Sequence, residues 1–132
     1  MRVREAQRLS LVAVGGVIGA LLRYGVSQVL EPQREISAGL QWPWATLVVN
    51  LVGALAIGIL AGLLVRSSSE YLVPLLITGV VGGFTTVSAL ALETFLLADS
   101  GAPVVALGYF AITMSAGFFA VMLGHRIAGD RT

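Results

Sequence analysis

The sequence holds no cysteine, one histidine and 11% charged residues, against about 25% charge in ordinary soluble proteins. Without cysteine there are no disulfide staples, no thiolate metal ligands and no cysteine nucleophile, and the redox compartment leaves no mark on the composition. No H-E-x-x-H, G-x-S-x-G, phosphate-binding loop or Ser/His/Asp set is present, and one histidine cannot build the familiar catalytic centres, so the expectation is that this is not an enzyme. The net charge is only +1, and all eight cationic residues are arginines scattered along the chain with no basic cluster, which excludes a nucleic-acid footprint. The sixteen glycines follow no G-X-Y period, and so little charge excludes solvated disorder.

What the chain does have is apolar length. It is 57% hydrophobic over 132 residues, with a mean hydropathy of +0.92, which makes it a membrane protein of one domain, residues 1–132. Four stretches, 9–30, 42–65, 71–98 and 102–127, meet the roughly 20 helical residues needed to cross about 30 Å of hydrocarbon. The fold class read from the sequence is therefore an all-α membrane protein with four transmembrane helices. The first stretch also has signal-peptide features, with Arg2, Arg4 and Arg8 before it and Gly25-Val26-Ser27 as a loose small-x-small site; its internal Arg23 and its length favour a span. Connectors 31–41, 66–70 and 99–101 are short, so no soluble domain is expected on the bundle. Trp42 and Trp44 around Pro43 read as an interfacial belt and a helix start.

Four spans put both termini and the middle connector on one side of the membrane. Arg2, Arg4, Arg8, Arg66, Arg126 and Arg131 then lie together, with Arg34 alone opposite. The positive-inside rule predicts cytoplasmic termini for a multi-pass protein of the bacterial cell membrane.

Several polar groups stand where lipid would penalise them. Arg23 lies in the second half of the first span and reads equally as a snorkelling cation or as a vestibule or pore residue. Thr46 and Asn50 are one turn apart on one helix face, and Asn50 can serve as interhelical hydrogen-bond glue. Glu93, late in the third span, can pair with an arginine, reach the interface or relay protons. Tyr109 and Thr113 are likewise one turn apart in the fourth span. Tyr24 and Tyr71 read as interfacial, Phe110, Phe118 and Phe119 as lipid or bundle contacts, and His125 as a helix-end residue without function.

The run Gly79-Val80-Val81-Gly82-Gly83-Phe84-Thr85-Thr86-Val87-Ser88 is poor material for a continuous helix. Adjacent glycines cost about 1 kcal/mol each relative to alanine, and two threonines that compete for backbone bonds follow at once. Close packing through Gly15/Gly19, Gly58/Gly62 and Gly79/Gly83 accounts for the glycines but not for the hydroxyls beside them. A third helix broken near mid-membrane, at 82–86, frees backbone carbonyls suited to an alkali cation.

In order, Gly15-Gly16-x-x-Gly19-Ala20-x-x-Arg23-Tyr24, Thr46-x-x-x-Asn50-x-x-Gly53 with Gly58, and Gly79-x-x-Gly82-Gly83-Phe84-Thr85-Thr86-x-Ser88 with Glu93 resemble the Fluc (CrcB-type) fluoride channel family over almost the whole chain. The resemblance implies an antiparallel, dual-topology dimer with two narrow anion pathways and a structural sodium ion, Na+, at the dimer centre. The sodium would be held by backbone carbonyls of Gly82 and Thr85 from each subunit. The fluoride pathway would run along Asn50, Thr86, Ser88, Tyr109 and Thr113, with Arg23 toward the vestibule and Glu93 near the path. Hydrogen-bond donors suit a small, strongly hydrated anion that must exchange its water shell for fixed partners. The implied function is passive fluoride efflux that relieves cytoplasmic fluoride toxicity.

The chain departs from the family pattern in three places. Where the family continues T-T-F-S-T-F, this sequence has Thr85-Thr86-Val87-Ser88-Ala89-Leu90, so the pore-aromatic positions are Val87 and Leu90 and lack a positively polarised ring edge. Gly117 replaces a frequent hydroxyl one turn after Thr113. Finally, six arginines against one favour a single orientation, whereas a dual-topology homodimer needs balance. The expectation is one subunit of a heterodimeric channel, whose homologous companion has the opposite bias and keeps the phenylalanines. A homodimer that tolerates these departures and a non-conducting assembly subunit are alternatives. So is a small proton-coupled multidrug-type exporter, although such proteins carry a glutamate in the first span, where this chain has Arg23.

Overall fold

In the computed structural model, residues 2–31, 42–67 and 70–129 are described, and every regular element among them is helical. These are α1 (Arg2–Leu30), α2 (Trp44–Ser67), a π-helix π1 (Val73–Val81), the single turn α3 (Gly82–Phe84), α4 (Val87–Asp99) and α5 (Pro103–Gly129). Four stretches among the described residues are long and apolar enough to cross a membrane, and the third, Val73–Asp99, comprises π1, α3 and α4. Exposed Leu9, Val17, Leu21, Phe95, Val104, Phe118 and Phe119 would be untenable in water and suit hydrocarbon. Four helices of this length with such exposed apolar surface make the chain a multi-pass membrane protein.

Element boundaries follow local chemistry. Proline begins α5 at Pro103, lies in the first turn of π1 at Pro74 and directly precedes α2 at Pro43, positions where its missing N–H costs nothing. Gly101, at φ 88°, supplies the left-handed residue that turns α4 into α5. The first helix begins earlier than its apolar stretch, because a helix continues through polar residues that can reach water; Arg8 there meets Glu70 at 3.7 Å, an exposed pair of little energetic weight. The connector 32–41 with Arg34, together with Arg131 and the side chains of Arg2 and Arg66, lies outside the described residues, so the arginine balance remains a property of the sequence alone.

Two backbone-to-backbone seams hold the bundle. A methyl group at Gly19 would overlap the Val80 carbonyl, one at Gly15 the Leu75 carbonyl, and one at Gly79 would come within 2.9 Å of the Gly15 Cα, so α1 lies directly on π1. The second seam joins α2 to α5, where a methyl at Gly58 would overlap the Val121 carbonyl and one at Gly124 the Leu55 carbonyl. Without a hydrophobic drive between helices in lipid, such close approach is what gives dispersion its strength. Between the seams, Leu47, Leu90, Leu97, Ala106 and Tyr109 form a small buried cluster.

Candidate functional site

The site is built where α2, the α3–α4 junction and α5 meet. Its centre is a departure from helical backbone: Thr85 has φ −76° and ψ 157°, and Thr86 has φ −149° and ψ 116°. Asn50 of α2 clamps this extended pair, its Oδ1 accepting from the Thr86 N–H at 2.9 Å and its Nδ2 donating to the Thr86 carbonyl at 3.1 Å. The carboxamide thus reproduces the donor–acceptor pair of a neighbouring peptide, and one of its two amide hydrogens is left over.

The Thr86 hydroxyl accepts from the Ala89 N–H at 3.2 Å, capping α4, and shares a hydrogen bond with Ser88 Oγ at 3.1 Å. These bonds have a consequence for the carbonyls upstream. In a continuous α-helix the Thr86 and Ala89 N–H groups would donate to the carbonyls of Gly82 and Thr85. Here Asn50 and the Thr86 hydroxyl take those two donors. Gly82 is exposed, and a methyl there would meet only the Ile77 carbonyl, at 3.7 Å. Thr85 turns its own hydroxyl back to the Val81 carbonyl at 3.1 Å. Gly53 of α2 accommodates the Thr85 methyl, which any side chain at 53 would displace.

A second polar group lies next to this clamp. Glu93 is 5% exposed and is gripped by two hydroxyls, Thr46 Oγ1 at 2.8 Å and Tyr109 Oη at 2.6 Å. Hydrogen bonds of this length help offset the burial of a carboxyl group. Tyr109 is fully buried, and the Trp42 ring packs edge-on against it at 5.4 Å and 83°. Trp42 is therefore partly a core residue and not only an interfacial one, whereas Trp44 is 57% exposed. Buried beside its ring, the Trp42 indole N–H finds no acceptor among the described residues. The Thr113 hydroxyl donates back to the Tyr109 carbonyl at 2.8 Å.

Asn50, Thr86 and Ser88 are thus joined in one network and Glu93, Tyr109 and Thr113 in another; Thr46 and Asn50, one turn apart on α2, connect them. Arg23 is half-buried on α1 and lines a cavity of about 560 Å³ that also reaches Thr46, Thr86 and Glu93. Val87 and Leu90 do not share an environment. Val87 is 76% exposed, while Leu90 is in the core cluster against Tyr109. Two participants escaped sequence reasoning as site residues. Thr46 had the Asn50 spacing as its signal, but nothing in the sequence paired it with Glu93. Glu31, at the end of α1, accepts from the Ala45 N–H at 3.0 Å and caps α2 from 14 residues away, across the undescribed connector.

Residues 10–125 match the family model described as CrcB-like protein, Camphor Resistance (CrcB). The chain is 42% identical over 113 residues to a protein of Paracoccus denitrificans, covering 86% of this chain and 87% of that one. It is 39% identical over 124 residues to one of Thermus thermophilus, covering 93% and 96%, and 44% identical over 116 residues to one of Rhizobium leguminosarum bv. trifolii, covering 86% and 90%. Each of the three is named fluoride-specific ion channel FluC.

Proposed function

This chain belongs to the CrcB-like family, and from that premise we propose that it is a subunit of a fluoride-specific channel that lets fluoride leave the cell passively. The observation that carries the reading is the similarity to three proteins named fluoride-specific ion channels over 86–93% of the chain. The polar network supports it. Fluoride is small and strongly hydrated, so a narrow path must offer fixed N–H and O–H groups in place of water. Among the described residues one Asn50 amide hydrogen and one hydroxyl hydrogen of the Thr86–Ser88 pair are in reserve for an anion, whereas the Tyr109 and Thr113 hydroxyls, donated to Glu93 and to the Tyr109 carbonyl, would have to turn toward it; Arg23 would draw anions into the vestibule, and Glu93 orients the Thr46 and Tyr109 hydroxyls. An inside-negative potential drives the anion outward, so neither ATP nor proton coupling is needed.

The third span is read as broken within the bilayer, in a dimer of oppositely inserted subunits. Sodium would be held at the centre of that dimer by the Gly82 and Thr85 carbonyls of each subunit. The support is chemical: these are two carbonyls whose α-helical donors are diverted, and hard oxygen ligands suit an alkali cation. Sodium there would supply positive charge that balances those carbonyl dipoles.

The partner is read as a homologous chain and not a second copy. Six arginines against one fix a single orientation with cytoplasmic termini, and Val87 and Leu90 stand where the family's rings would be. The decisive experiment is fluoride efflux from liposomes, read with a fluoride electrode, for the chain alone and together with a homologous subunit that carries phenylalanine at both positions. Efflux only from the pair supports the heterodimer. Robust efflux from the chain alone overturns it in favour of a homodimer, and no fluoride flux from either preparation overturns the channel reading.

A further inference from the structure

The cavity beside Arg23 contains a group that works against anion capture. It is lined by α1, Glu31 and the first two turns of α2 and α4, and among the described residues its guanidinium is that of Arg23. The N-terminus of α2 opens into it through Ala45 and Thr46, and unpaired N–H groups at a helix start, with the aligned peptide dipoles, attract anions. In this chain the Glu31 carboxylate, which lines the same cavity, already occupies that end through Ala45 at 3.0 Å.

We propose that Glu31 is a specificity- and rate-determining residue that guards the vestibule: its carboxylate holds the α2 N-terminus against incoming anions, and an anion reaches that position only by displacing it. The inference rests on reading this cavity as the vestibule of the fluoride path. Arg23 attracts anions to the cavity, while Glu31 and, deeper, Glu93 limit how many stay; Tyr24 is the remaining titratable group on its wall. The balance favours exit over retention, as a channel requires, because an anion bound too firmly blocks those behind it. A unit charge about 4 Å from an anion in a water-like dielectric changes its occupancy about fivefold, so removing the carboxylate should raise anion occupancy by up to that factor.

The two tryptophans of the chain, Trp42 and Trp44, stand at the start of α2 beside Ala45 and outside the cavity lining, so they report on anion access to this helix end by proximity, Trp44 the more because it is exposed. Bromide quenches indole fluorescence on contact, so its quenching constant measures anion access. The test compares wild type, Glu31→Gln and Glu31→Ala in detergent, with sodium bromide as the probe at fixed low ionic strength. Glutamine keeps an acceptor for the Ala45 N–H but loses the charge, and a melting curve for each variant checks that the fold is retained. The quenching constant of Glu31→Gln is expected to exceed that of wild type severalfold, the gap to narrow as salt screens the Glu31 charge in wild type, and the constant to drop when fluoride replaces part of the bromide. Equal quenching in wild type and Glu31→Gln, with a change only in Glu31→Ala, would overturn the proposal and leave Glu31 as a helix cap alone. Bromide quenching insensitive to fluoride would overturn it for fluoride. Because this assay requires no conduction, absence of fluoride flux would sink the channel reading without touching the result at Glu31.

Discussion

Replacing Asn50 by alanine removes both hydrogen bonds that hold Thr86 extended, Thr86 N–H to Oδ1 at 2.9 Å and Nδ2 to the Thr86 carbonyl at 3.1 Å. Thr86 is 7% exposed, so water has little access to the two orphaned groups. Leaving a buried backbone donor or acceptor unsatisfied costs about 1–3 kcal/mol, which puts the Asn50→Ala loss at about 2–6 kcal/mol before relaxation. Relaxation has an obvious direction: the Thr86 N–H can turn back to the Gly82 carbonyl and reseal the helix, closing one of the two carbonyls assigned to sodium. The variant should therefore lose stability and, in the assembled channel, lose any dependence on sodium together with fluoride flux. Asn50→Asp separates the two halves of the clamp, because it keeps the acceptor for the Thr86 N–H but sets a carboxylate oxygen against the Thr86 carbonyl and places an anion on the path. Its stability should fall between wild type and Asn50→Ala, while fluoride flux should vanish. Unfolding of the solubilised protein and hydrogen exchange at the Thr86 amide give the readouts. Unchanged stability and undiminished protection of that amide in Asn50→Ala would refute the clamp.

Tyr109→Phe withdraws the 2.6 Å donor from the buried Glu93 carboxyl group; removing the partner of a buried polar group costs about 1–3 kcal/mol, and a loss of that size is expected in unfolding experiments. Thr46→Val removes the other hydroxyl, at 2.8 Å, and the double variant should lose a different amount from the sum of the two because both act on one carboxyl group. Gly19→Ala drives a methyl into the Val80 carbonyl and should destabilise the α1–π1 seam by about 1–3 kcal/mol, whereas Gly25→Ala, exposed with open space around it, should change stability by less than about 0.5 kcal/mol; thermal melting distinguishes them. Val87→Phe places a ring on the exposed face of α4 and should raise the fluoride flux of the assembled pair, measured by electrode, if that face borders a pathway.

The four apolar helices were legible because length and hydropathy alone decide what can cross hydrocarbon, and Pro43 marked a helix start. The glycine seams were legible as spacing, yet the pairing of Gly15 and Gly19 with π1 and of Gly58 with Gly124 requires three dimensions. At the site, the one-turn offset of Thr46 and Asn50 was visible, but not that Asn50 spends both ends of its amide on a single peptide. Glu93 was ambiguous for the same reason: a lone carboxyl in a span gives no hint of its partners, and Tyr109 and Thr46 approach it from two other helices. Val87 and Leu90 read as equivalent pore positions, although three residues of helix rotation put one outside and the other against Tyr109. Glu31 was invisible because a cap 14 residues distant has no periodicity to betray it.

The most direct test of the account is the reversal potential of the reconstituted assembly under separate gradients of fluoride, chloride and protons. A passive fluoride channel built around these donors predicts a potential that follows the fluoride gradient alone and ignores the other two. A potential that tracks chloride, or one that moves with the proton gradient as a coupled exporter's would, contradicts it.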